Sequence, residues 1–279
     1  MAVRTRVVLD VDTGIDDALA LLYAVTSPSL DLRAVTTVAG NVSAELAARN
    51  SAAVLAHVGA GHVPVAIGAG RTTQGRGPRS GPTNHGPDGL GGVAVPSGPS
   101  PADADPEALF AQAAHGGDVT LVGLAPMTNL AHLAPHADRL VLVGGELVPE
   151  DPPEFNASHD APASAQVLAA GRPTTLYVVA VFKQVTVADK DVALLQACER
   201  PGPKLAGDLL HVRRAHLLGD AGALVLLTHP HLFATEHRRI GPLGDVLTDV
   251  PTGRLVDVVV DVDAAAVARA VVETLLSGA

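Results

Sequence analysis

Short apolar runs rich in Val and Leu alternate with helical patterns along almost the whole chain, from Val7-Val8-Leu9 to Ala264–Leu276. The runs are continuous rather than interleaved with polar residues, which marks strands buried on both faces. Parallel strands need crossover connections, and the intervening helices supply them. The pattern predicts an α/β fold: a mainly parallel, Rossmann-like open sheet flanked by helices. Val7–Leu9 reads as the first strand, and a helix opening at Asp16 or Asp17 runs to Pro28. Strands follow at Leu32–Val38, Val65–Ile67, Val119–Val122, Leu140–Val143 and Thr174–Val181. Helices are expected from Ser43 to about Val58, at Pro106–His115, Thr128–Leu133 and Ala161–Ala170. From Asp189 the reading is helical, at about 189–198, 203–217 and 222–228, before a late strand at Leu255–Val260. No repeat or linker separates two cores, so residues 1–279 read as one domain. Two stretches, 68–101 and 144–156, lose the rhythm and are rich in Gly and Pro. Loops of that length in a compact domain tend to carry function.

Composition removes several functions. The net charge is −10 with the basic residues scattered, so a phosphate backbone is repelled. Trp is absent, and two Tyr and four Phe leave few platforms for stacking bases. No nucleic-acid partner is expected. No apolar stretch reaches membrane-spanning length, and Val7–Leu9 is too short for a signal core, so a cytoplasmic location without a membrane partner is expected. Cys198 is the one cysteine, which rules out an intrachain disulfide; it reads as a small filler near a helix end.

The stretch VVLDVDTGIDDAL (7–19) crowds Asp10, Asp12, Asp16 and Asp17 directly after the first strand. In open parallel sheets ligands sit beyond the carboxyl ends of strands. Asp16 and Asp17 fall at a helix N-terminus, where the dipole favours negative charge. A hard cation such as Ca²⁺ or Mg²⁺ would relieve the remaining repulsion. A second chemistry shares this opening: an Asp-x-Asp after an apolar strand begins the haloacid dehalogenase-type phosphatases. That pattern wants Thr or Val where Gly14 stands, and it has no role for Asp16-Asp17.

DVDTGIDDALALL resembles the DxDxGxDDAxA opening of the inosine–uridine-type nucleoside hydrolases. Further segments resemble that family in order: VTTVAGN (35–41), NHGPDGLGG (84–92), LVGLAPMTNL (121–130), VPEDPPEFN (148–156) and HPHLFATEHRR (229–239). The resemblance implies that Asp12, Asp17, the Leu124 carbonyl and Asp220 bind Ca²⁺, with Asp12 also taking the proton of the attacking water. It implies that Asn41 orients that water, and that Asp16, Glu154, Asn156 and Asp220 hold ribose hydroxyls. A homodimer or homotetramer is implied on the same ground.

Three departures stand out. Gly219 replaces the His that many members place near the leaving base. Val148 replaces an Asn that contacts the sugar. The segment 178–187 and the region before Asp220 look contracted. The sugar and metal half of the site is therefore expected to be kept and the base half altered. His85, His211 and His216 are candidate donors to the leaving base, with His85 first because its loop matches the family pattern. Arg71, Arg76 and Arg79 are candidates for an anionic substrate, though loop solubility explains them more simply. Gly144-Gly145-Glu146 reads as a tight turn, His229, His231 and His237 as a surface connection, and Asp257, Asp261 and Asp263 as exposed-face or capping acids. The reading is a Ca²⁺-dependent N-ribosyl hydrolase that cleaves a ribonucleoside to ribose and base, with atypical leaving-group recognition. A riboside-binding non-enzyme and a dehalogenase-like phosphatase are the alternatives.

Overall fold

Val7, Val8, Leu9 and Val11 are all inaccessible to solvent, although successive strand residues point to opposite faces. A strand so placed has helices packed on both sides. The computed structural model describes residues 4–81 and 83–278. Its strands are β1 (Thr5–Val11), β2 (Leu30–Thr37), β3 (Val65–Ile67), β4 (Thr120–Gly123), β5 (Arg139–Val143), β6 (Thr174–Tyr177), β7 (Phe233–Leu243), β8 (Val246–Asp249) and β9 (Arg254–Val262). They form one sheet in the order β3-β2-β1-β4-β5-β6-β9-β7-β8. The run from β3 to β9 is parallel, while β7 lies antiparallel to both β9 and β8.

The β7–β8 hairpin is missing from the sequence reading, which placed a surface connection there. Most of β7 faces solvent and carries Glu236, His237, Arg238 and Arg239, so it lacks the apolar run of a buried strand. His237 lies within it and pairs with Asp257 of β9 at 2.7 Å.

Two further corrections concern boundaries. β6 stops at Tyr177, and the apolar residues after it form a short helix, Val179–Phe182. Buried helix and buried strand share a composition, so hydrophobicity cannot separate them over four residues. The helix expected at 203–217 spans Pro201–Val212. Arg213 then leaves helical geometry, and Ala215 and His216 adopt φ of 54° and 49°. This kink faces the carboxyl ends of the strands. Among the described residues no helix is long and apolar enough to cross a membrane.

Among its described residues the long loop after β3 has no regular structure before the Pro106–Ala114 helix, yet it is tied down. Buried Asp160 accepts Thr73 N–H at 2.8 Å and Thr128 Oγ1–H at 2.8 Å, and also the Thr73 hydroxyl. Asn50 Nδ2 donates to the Asp88 carbonyl at 2.8 Å, and Arg79 N–H to the Gly40 carbonyl at 2.8 Å.

Candidate active site

The strand order runs outward from β1 to β2 and β3 on one side, and from β4 to β5 and β6 on the other. The crevice where the order reverses lies between β1 and β4, the usual ligand position in such sheets. The acids of the first motif stand there. Asp10 pairs in register with Thr36 of β2 and Gly123 of β4. Its Oδ1 accepts from Thr36 Oγ1 at 2.5 Å and Asn129 Nδ2 at 2.8 Å. Asp12 accepts the Asn41 backbone N–H at 2.7 Å and Asn41 Nδ2 at 2.9 Å. The turn carrying Asn41 comes so close that a Cβ on Gly40 would overlap Asp12 Oδ2. Asp16 and Asp17 occupy the first turn of the Ile15–Thr26 helix, and Asp17 Oδ2 accepts the Gly14 N–H at 2.8 Å. Asp220 lies across the cleft at the start of the Ala221–Thr228 helix.

All of these acids are buried. Burial pushes the Asp10 and Asp12 carboxyls up to about 7. It raises Asp17 and Asp220 well above the carboxylate range, with repulsion from the neighbouring acids adding to it. Asp16, Asp17 and Asp220 each offer an oxygen, and these atoms lie within 4.8 Å of one another. Asp16 Oδ1 and Asp17 Oδ1 are buried with no hydrogen-bond partner among the described residues. Converging, unpartnered carboxylate oxygens fit a hard divalent cation.

The walls come from loops. Glu154 caps the Phe155–His159 helix: its carboxylate accepts from Asn156 N, Ala157 N and Gly145 N at 2.7, 2.9 and 2.8 Å. Burial raises its pKa. Asn156 Nδ2 donates to the Leu124 and Val143 carbonyls at 3.0 and 3.2 Å. His85 Nδ1 accepts the Ile15 N–H at 3.0 Å, and burial pushes its pKa below the usual imidazole value. With Nδ1 accepting, Asp16 Oδ1 at 3.4 Å faces a second acceptor and is no ion-pair partner for the ring. Arg213, 6% exposed, donates from Nη2 to Asp16 Oδ2 at 2.7 Å. These groups surround a cleft of about 400 Å³.

The sequence profile of the inosine-uridine preferring nucleoside hydrolases matches residues 7–272. The chain belongs to that family. It is 33% identical over 256 residues to the non-specific ribonucleoside hydrolase RihC of Shigella boydii, covering 84% of this chain and 82% of that protein. It is 30% identical over 252 residues to uridine nucleosidase 1 of Arabidopsis thaliana, covering 82% and 75%. In fold it is similar to a plant nucleoside hydrolase, PpNRh1 (TM-score 0.89, 23% identity, 98% and 99% covered). A purine-preferring ribonucleoside hydrolase from Gardnerella vaginalis superimposes with TM-score 0.87 at 24% identity, covering 97% and 98%. This nucleoside hydrolase is accordingly an N-glycosyl hydrolase by family, which sets aside the phosphatase alternative.

In this hydrolase Asp16, Asn41, His85, Leu124, Glu154, Asn156 and Asp220 all line the cleft. Asp12 and Asp17 are not part of that lining, and Asp12 lies against Asp17 within hydrogen-bonding reach. The geometric trio contains Asp16 where the sequence expectation has Asp12. Val148 is 75% exposed and outside the cleft. Of the loop arginines, Arg79 alone reaches the cleft, stacking over Phe155 at 4.4 Å. His211 is exposed, and His216 turns to the Leu210 carbonyl and Asp189 at 2.7 and 3.1 Å, so neither borders the site. The histidines at 229, 231 and 237 form no metal-ligating group among the described residues. Asp263 caps the final helix through the Ala266 N–H at 2.9 Å.

Sequence reasoning missed Arg213 and Glu146. Buried Glu146 accepts Glu150 N–H at 2.9 Å and braces the loop that carries Glu154. Its Gly-Gly-Glu setting reads as a tight turn; the segment instead runs without turn or regular structure, bonded to Tyr177 and Leu247, and delivers Gly145 N–H to Glu154. Nothing in the sequence separates Arg213 from Arg214; the kink at 213–216 makes the distinction.

Proposed function

We propose that the protein is a Ca²⁺-dependent ribonucleoside hydrolase that cleaves the N-glycosidic bond to give ribose and free base, with an altered leaving-base site. The observation that carries it is the set of three buried, converging carboxylates, Asp16, Asp17 and Asp220, with Asp12 against Asp17 and with Asp16 Oδ1 and Asp17 Oδ1 unpartnered among the described residues. Asp12, Asp17, Asp220 and the Leu124 carbonyl would hold the ion, and an Asp16 oxygen lies within 4.8 Å of those of Asp17 and Asp220, in keeping with the six to eight oxygens Ca²⁺ takes. When bound, the cation makes water easier to deprotonate and fixes the ribose. Asn41 holds Asp12 by two hydrogen bonds, so this carboxylate is oriented to accept the water's proton. Asp16, Asp220, Glu154 and Asn156 grip ribose hydroxyls and place the anomeric carbon against the water. Their negative charge stabilises the positive charge that builds on the sugar ring as the bond breaks. His85 lines the side of the cleft where the base would leave.

A reducing-sugar assay over a ribonucleoside panel, on chelated protein with and without added Ca²⁺, tests this. Ribose release restored by Ca²⁺ is expected, as is loss of both Ca²⁺ binding and turnover in Asp12→Ala and Asp17→Ala. Full activity in chelated Asp17→Ala would refute it. A homodimer or homotetramer is the expected assembly, which light scattering checks.

A further inference from the structure

Two nitrogen donors meet on the cleft wall with no acceptor between them. His85 Nδ1 accepts the Ile15 N–H, so the neutral ring carries its hydrogen on Nε2. Arg213 Nη1 lies 3.4 Å from that Nε2, and a guanidinium has donors only. The approach is donor against donor and no hydrogen bond. Both side chains are buried and both border the cleft. Arg213 Nη2 is anchored on Asp16 Oδ2 at 2.7 Å, so the guanidinium is held in place rather than swinging free. The space that a side chain at 219 would use is already taken. Gly219 has φ +66°, and a Cβ there would fall 2.5 Å from Asp16 Cβ.

We propose that Arg213 and His85 form the leaving-base subsite, their N–H groups converging on one acceptor atom of the departing base. This rests on the riboside hydrolysis set out above. The acceptor is a carbonyl oxygen or ring nitrogen conjugated with the glycosidic nitrogen, because such an atom gains negative charge as the bond breaks. The C1′–N bond breaks with its electron pair going to the base. The water oxygen bonds C1′, and the water's proton passes to Asp12. The base leaves as an anion on the two donors and takes a proton from solvent when released. Arg213 stays charged throughout, so it stabilises the anion without having to give up a proton. The missing imidazole at 219 is thereby replaced by a fixed cation from a different helix end.

Leaving-group dependence tests this. Uridine and inosine are compared with 4-nitrophenyl β-D-ribofuranoside, whose phenolate departs unaided. Arg213→Gln is expected to lower kcat on the nucleosides by about 10²-fold, the usual cost of one such donor, while the nitrophenyl riboside changes by less than about 3-fold. Arg213→Lys keeps a charge near Asp16 but loses the planar fork, and is expected to show the same selectivity at about 10-fold; it serves if the Gln variant fails to fold. Equal losses on all three substrates in both variants would overturn the proposal and leave Arg213 as a partner of Asp16 alone. Wild-type protein that cleaves neither substrate class would overturn the riboside reading instead.

Discussion

Asp10 offers a direct measure of the electrostatics beneath the cleft. Its carboxyl is wholly buried, with Oδ1 bonded to Thr36 and Asn129 and Oδ2 unpartnered among the described residues. Burial lifts its pKa from 3.8 to about 7. At about 1.4 kcal/mol per pH unit, that corresponds to about 4 kcal/mol between the two protonation states. The folded value lies above the unfolded one. Its contribution to stability is therefore fully present below about pH 4 and is lost as pH rises through about 7. Asp10→Asn keeps an acceptor for Thr36 and Asn129 and removes the charge. It also places an unpaired amide where Oδ2 lies, at about 1–3 kcal/mol. In metal-free protein at pH 8, the variant should exceed wild type by about 1–3 kcal/mol, the balance of these two figures. Near pH 4.5 that advantage should vanish. Urea unfolding followed by circular dichroism, with chelator present, measures both. A variant that is less stable than wild type at pH 8, or one whose stability keeps the full pH slope, would refute the reasoning.

Three other outcomes follow from the geometry. Gly219→His should lower the melting temperature and give no gain in turnover, since φ +66° costs a side chain about 1–2 kcal/mol and Asp16 fills the space; faster nucleoside hydrolysis would show that an imidazole fits there. Asp160→Ala should cost about 3–5 kcal/mol, as Thr73 and Thr128 lose a buried ionic acceptor, and should speed tryptic cleavage at Arg76 and Arg79; unchanged cleavage would show that the loop is held elsewhere. Nitrogen-15 NMR of His85 at pH 7 should report a neutral ring with its hydrogen on Nε2, because Ile15 N–H occupies Nδ1 and burial depresses the pKa; an imidazolium signal would contradict it.

The parallel part of the sheet is legible in the sequence because β1 and its neighbours are covered on both faces and so must be apolar throughout. The β7–β8 hairpin is illegible for the opposite reason: it is an edge, open to solvent, and pairing rather than burial holds it. The floor of the site is legible because its acids are crowded in one motif. Arg213 is not, since it lies 197 residues from Asp16 and is aimed by residues in left-handed geometry, Ala215 and His216, that carry no glycine signal. Gly219 reads as a loss from sequence. In the fold it leaves room for Asp16, which a side chain at 219 would displace.

Thr36, Asn129 and the Gly14 amide fix the acids from strands and a helix end, whereas the base-side donors His85 and Arg213 ride on the connections at 84–92 and 213–216. Sugar chemistry and base choice are thus inherited through separable parts of one polypeptide. Selection is free to rewrite the connections for a new leaving group and to leave the reaction centre untouched.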